Sequence, residues 1–376
     1  MAKDISILAK RKNIAVVGAG IGGLVSALKL SNDGYQVKVF ESSNYPGGKI
    51  RTLDCSKGPV NIGPTVLTML SIFQNLFEEV GENIFEHLEL KQQKILARHW
   101  WSDGTEFDLL ANKDDAFNEV RRIFGSNAGE QFIRFFNSTE KMFDCFEKPI
   151  MKSSSPAALE ILKEICKNPK IITALIPFLT LNKYLESKFS EPKLQQLFGR
   201  YSTYVGGSPL FSPALMSLVW QAEARGVWTV KGGISAVAKA IEKLAIDRGV
   251  EFVYGRKVVE IKKSNFLVNE LCLDDGTCHA ADAVVFNGDP RALAVGLLGD
   301  DLKNIADKTR NSNRSLSANV WGFEANAINK NLVHHNVFFS DEVNSEFYAI
   351  EKGQIPSDPT LYICAQDREE TDKKQK

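Results

Sequence analysis

Four glycines, Gly18, Gly20, Gly22 and Gly23, lie between an apolar run, Ile14-Ala15-Val16-Val17, and a stretch with helical spacing of its apolar residues. A second apolar segment, Gln36 to Phe40, follows and ends at an acid, Glu41. The order reads as strand, tight loop, amphipathic helix, strand, acid. Gly18 would permit the turn, Gly20 would let a pyrophosphate approach the backbone at the helix N-terminus, and Gly23 would let helix and strand pack closely. Glu41 would accept a hydrogen bond from a ribose 2′-hydroxyl and repel a 2′-phosphate, which points to NAD or FAD rather than NADP.

The residues after Glu41 separate those two. Pro46-Gly47-Gly48-Lys49-Ile50-Arg51 adds a glycine pair and two cations, and Gly63-Pro64-Thr65 comes soon after. This combination resembles the amine oxidase and phytoene desaturase group of flavoproteins. The resemblance implies that Gly47, Gly48 and Arg51 touch the pyrophosphate and that the nucleotide is FAD.

Composition narrows the class. The chain has 376 residues and a formal net charge of zero. That length suits two or three domains, and with no basic stripe interleaved with aromatics a nucleic-acid partner is not expected. Six cysteines are scattered without a Cys-x-x-Cys pair, so the expectation is reduced thiols, a cytoplasmic setting and no metal site. Met1 to Lys12 is mixed and charged, unlike a secretory signal. A spanning helix needs about 20 apolar residues in a row, and none is present. The apolar run Ile171 to Leu181, interrupted by Pro177, fits either a core helix or a segment dipping into a lipid surface.

From Asp115 to Met151 large apolar residues recur at helical spacing, including Phe132, Phe135, Phe136, Met142, Phe143 and Phe146. They fit an ordinary core or the wall of an apolar tunnel, and Trp220 and Trp228 carry the same two readings. Beyond Arg225 the pattern returns to alternating helix and strand, with Asp274-Asp275-Gly276-Thr277 as a hairpin turn and Asp282 to Asn287 as a further strand. By the flavoprotein resemblance, Val258 meets the adenine through its backbone. The expected fold is α/β: a Rossmann-like FAD-binding domain of the amine oxidase and phytoene desaturase type with an inserted helical and mixed substrate domain. Its divisions are 1–70 and 225–300 for the FAD-binding halves, 71–224 for the helical, membrane-facing insertion and 301–376 for the remaining substrate-domain strands.

Longer strings sharpen the likeness. Gly63 to Met69, Leu197 to Gly207, Leu218 to Glu223, His334 to Phe339 and Pro359 to Arg368 resemble the bacterial 1-hydroxycarotenoid 3,4-desaturases, and the similarity runs from Ile14 to Arg368. It implies an FAD enzyme that places a double bond between C3 and C4 of a 1-hydroxylated polyene. The carotenoid would be met at a membrane surface by a peripherally associated protein. A phytoene-type desaturase and an inactive carotenoid- or lipid-binding fragment are the alternatives, because relatives of this type continue past Arg368 and the chain reads as C-terminally truncated. No catalytic residue stands out. Arg200 and Tyr204 are the candidates for contact with the substrate hydroxyl, while His334 and His335, adjacent on a strand, are expected on opposite faces.

Overall fold

The computed structural model describes residues 12–147, 163, 178–264, 267–326, 328 and 331–368. Four parallel strands form the first sheet, in the order Ala283–Phe286, Asn13–Val17, Gln36–Phe40 and Glu251–Val253. Extended backbone alternates its side chains, so each strand of this sheet serves two layers. Ile14 and Val16 join a core with Leu24, Ala27 and Leu28 of the helix Ile21–Asn32, to which the helix Ser235–Asp247 adds Val237, Ile241 and Leu244. Ala15 and Phe40 join the opposite core with Val258, Ile261, Leu271 and Leu273.

Those last four residues belong to an antiparallel meander, Val258–Ser264, Leu267–Leu273 and Cys278–Ala280. The 274–277 turn closes as the sequence suggests, with Leu273 N–H donating to the Thr277 carbonyl at 2.8 Å. Register then sets Cys272 opposite Cys278, and their sulfurs are bonded. This corrects the expectation of six reduced thiols. A cross-hairpin pair six residues apart is produced by strand register and escapes any rule built on short Cys spacing.

The helical half begins at Asn112, whose Oδ1 accepts the N–H groups of Asp114 and Asp115 at 2.9 and 3.1 Å. This cap starts the helix Lys113–Phe124, with acids in its first turn and Arg121 and Arg122 in its last, matching the helix dipole. Gly125, at φ 91°, turns the chain into the 21-residue helix Ser126–Phe146. One face of that helix is buried and aromatic. Phe135 packs on Phe189, Phe198 and Trp220 with ring centroids 4.8 to 5.9 Å apart. The rings meet one another, so the core reading holds for them and for Trp220. A second sheet, ordered Leu361–Cys364, His335–Phe338, Ile95–Trp100 and Glu106–Leu110, adds Leu96, Phe107, Leu109 and Val337 to this core.

Of the apolar run, Ile171 to Pro177 lie outside the described residues. Phe178 is fully exposed and Leu181 fully buried at the start of the helix Leu181–Lys188. No helix among the described residues is long and apolar enough to cross a membrane.

Candidate functional site

Two glycine loops from different parts of the first 50 residues dock on each other. Gly18 adopts φ 99°, and a Cβ on Gly23 would stand 1.9 Å from the Gly18 carbonyl oxygen, so helix and loop meet only because that carbon is missing. Gly47 N–H donates to the Ala19 carbonyl at 2.8 Å, and a Cβ on Gly48, at φ 60°, would come 3.1 Å from Gly20 Cα. Among the described residues no side chain caps the helix Ile21–Asn32 at Gly20, and its first turn holds no acid. Its first amide N–H groups therefore form a positive end suited to an anion. Glu41 is buried, with Oε2 accepting from Ala19 N–H at 2.7 Å and Oε1 from Ser43 N–H at 2.8 Å. Beside it lies a cavity of about 360 Å³ whose lining includes Gly18, Glu41, Arg256, Val258, Asp289 and Leu297. Arg51 is exposed, three residues past the second glycine pair.

A polar cluster sits on the helical side. Glu223, 3% exposed, accepts from the hydroxyls of Tyr201 at 2.6 Å and Tyr204 at 2.5 Å. The Arg200 guanidinium lies 4.8 Å from the Tyr201 ring centre and 5.5 Å from that of Tyr204, and its Nη1 donates to the Tyr204 hydroxyl at 3.3 Å. Burial opposes the charge on Arg200, but Tyr204, Tyr201 and Glu223 outweigh it and hold the cation. Nearby, Nδ1 of His335 is 2.6 Å from the Tyr362 hydroxyl, which is 2.7 Å from Thr65 Oγ1. Burial above all, with smaller pushes from His334 and Arg200, lowers the basicity of His335, and burial, aided by Cys364, Tyr204 and Glu223, raises the Tyr362 phenol. His334 and Cys364 adjoin, with Nε2 and Sγ 3.5 Å apart.

Residues 21–312 match the flavin containing amine oxidoreductase family. The chain belongs to that family. It is 43% identical over 94% of its length to the hydroxyneurosporene desaturase of Cereibacter sphaeroides, and 33% identical over 94% to the 1-hydroxycarotenoid 3,4-desaturase of Flavobacterium sp.. It spans 72% of each of those relatives. An oxidoreductase from Methanosarcina mazei shares the fold, with a TM-score of 0.54 at 18% identity, covering 79% of this chain and 64% of that one.

The flavoprotein's cofactor is FAD, and its residues fit that group. The fit rests on the uncapped helix start, the glycine contacts that any Cβ would crowd and the cavity beside Glu41. When bound, FAD supplies a two-electron acceptor. Gly18, Gly20, Gly23 and Glu41 are brought together, as their spacing suggested, and Gly47 and Gly48, taken from the resemblance, dock on them; Val258 arrives from a distant strand to line the cavity beside Gly18 and Glu41. Asn287 was not foreseen: its side chain covers the loop, within 3.2 Å of Cβ positions built on Gly20, Gly22 and Gly23. Nothing in its sequence surroundings marks it. Glu223 was passed over because its partners Tyr201 and Tyr204, 22 and 19 residues away in sequence, meet it only after folding.

One expectation fails outright. His334 and His335 do not part to opposite faces; their rings meet edge to face, centroids 4.5 Å apart, because the strand begins only at His335. Burial first, then the charges of His334 and Arg200, pushes His335 down to about 3. Below its ordinary value of 6.5 the unfolded chain therefore takes up a proton that the folded chain refuses. This share of stability is fully present above pH 6.5 and drains as the pH falls toward 3. Urea unfolding at two pH values should show His335→Phe losing about 2 kcal/mol less than the parent between pH 6.5 and pH 5. Equal losses would place the acid sensitivity elsewhere.

Proposed function

We propose that the chain is an FAD-dependent carotenoid desaturase that forms a double bond between C3 and C4 of 1-hydroxylated carotenoids. The similarity to desaturases named for those substrates supports the reaction. The observation in the fold that carries it is the Arg200, Tyr204 and Glu223 cluster, in which the buried Glu223 carboxylate holds the exposed Tyr204 beside the aromatic core. A substrate with one hydroxyl on a long hydrocarbon needs a polar partner at one end and apolar walls along the rest. Arg200 and Tyr204, held by Glu223, take the hydroxyl end in this reading. Gly18, Gly20, Gly23, Glu41, Gly47, Gly48, Arg51 and Val258 hold FAD, and 1–70 with 225–300 form its domain around the helical insertion 71–224, with 301–376 contributing substrate-side strands.

The substrate dissolves in lipid, so the protein works at a membrane surface. Phe178 and Phe211, both exposed, lie on the two segments joined by the Thr180 and Pro213 bridge and supply apolar contact there. The test is product analysis with FAD-loaded protein and carotenoids in liposomes. A 1-hydroxylated carotenoid should gain one conjugated double bond, seen as a red-shifted absorption spectrum, with roughly a hundredfold preference over the unhydroxylated analogue. Conversion of phytoene with no such preference would assign the chain to a phytoene-type desaturase.

A further inference from the structure

Desaturation removes a hydride and a proton from neighbouring carbons, and the second needs a place to go. C4 adjoins the conjugated system, so hydride loss from C4 to the flavin leaves a cation delocalised along the polyene. The C3–H bond beside that cation is strongly acidic, and a weak base suffices to take its proton provided it is neutral and in place. Resting on the reading above, the chemistry therefore asks for an acceptor two carbons from the hydroxyl-bearing C1, near whatever holds the hydroxyl.

We infer that His335 is a catalytic residue and that its Nε2 accepts the C3 proton, the C3–H electron pair becoming the new π bond. His335 is 2% exposed, and among the described residues its Nε2 is buried without a hydrogen-bond partner, while Nδ1 is 2.6 Å from the Tyr362 hydroxyl. Tyr362 in turn lies 2.7 Å from Thr65 Oγ1. With Tyr362 donating to Thr65 and accepting from Nδ1–H, the Nε2 lone pair is left open. Burial keeps the ring neutral at working pH. Thr65 lies two residues past Gly63, whose Cβ would stand 2.0 Å from the Lys49 carbonyl, so the chain ties this cluster to the second glycine loop. After the proton arrives at Nε2, the Nδ1 proton passes to Tyr362, which is 44% exposed, and on to solvent.

Two measurements test this. Nitrogen-15 NMR of the imidazole in flavin-free protein should show the neutral Nδ1–H tautomer of His335 from pH 6 to pH 8; the Nε2–H tautomer or a protonated ring would overturn the assignment. With the FAD-loaded protein, His335→Phe should retain FAD binding and the carotenoid band shift but lose about 30-fold or more in rate. Deuterium at C3 should then give a larger isotope effect than in the parent, and imidazole added to His335→Gly should restore turnover. A parent-like rate and isotope effect in His335→Phe would dismiss His335 as the acceptor. If the parent itself forms no 3,4-double bond, it is the desaturase reading that fails, and the NMR result still reports on His335 separately.

Discussion

Gly20→Val yields a folded chain that stays colourless with excess FAD. Gly20 has φ −66° and ψ 170°, a conformation open to any residue, so the backbone does not resist the change. Among the described residues, the added Cβ meets only the Nδ2 end of the Asn287 side chain, at 2.9 Å, which can swing aside. What the valine methyls occupy is the approach to the first amides of the helix, where a pyrophosphate must come within hydrogen-bond reach. Affinity should fall at least 100-fold, about 3 kcal/mol, by calorimetric titration, with an unchanged far-ultraviolet circular dichroism spectrum. Gly23→Ala differs in kind, because its Cβ would meet the Gly18 carbonyl oxygen at 1.9 Å, backbone against backbone, and the loop itself must deform. A yellow, flavin-saturated Gly20→Val protein would show that the nucleotide binds elsewhere.

Trp220→Ala should cost about 3 to 5 kcal/mol in urea unfolding. The ring is 2% exposed and lies 5.1 Å from the rings of Phe136 and Phe198, with Phe135 stacked at 5.9 Å. Its Nε1–H donates to Thr139 Oγ1 at 3.0 Å, but that oxygen keeps a second donor, Gln221 Nε2, at 2.8 Å, so the main loss is packing. Trp220→Phe, which refills most of the volume, should recover more than half. A cost under about 1 kcal/mol would mean that these rings border open space, and the aromatic cluster would have to be reassigned from core to tunnel wall.

The nucleotide half was the more legible because its signals are local. Gly18, Gly20, Gly23 and Glu41 act within one strand-loop-helix-strand unit, and the missing side chains that let Gly23 and Gly47 pack are visible as letters in the chain. The aromatic helix was legible too, since Phe132, Phe135, Phe136, Phe143 and Phe146 repeat at the period of the helix that buries them. What the letters did not separate was core from tunnel, as both bury the same residues.

By itself the sequence determined the dinucleotide cradle, the helical character of the middle segment and the family likeness. Tertiary structure alone decided which distant groups share a site. Strand order brings Val258 to the cavity beside Glu41, hairpin register joins Cys272 to Cys278, and the pairing of His335–Phe338 with Leu361–Cys364 sets His335 beside Tyr362. Chain periodicity specifies which face of an element is apolar, but the partner across a sheet or a core depends on how whole elements stack, and polar groups such as Glu223 gain their meaning only from partners that stacking supplies.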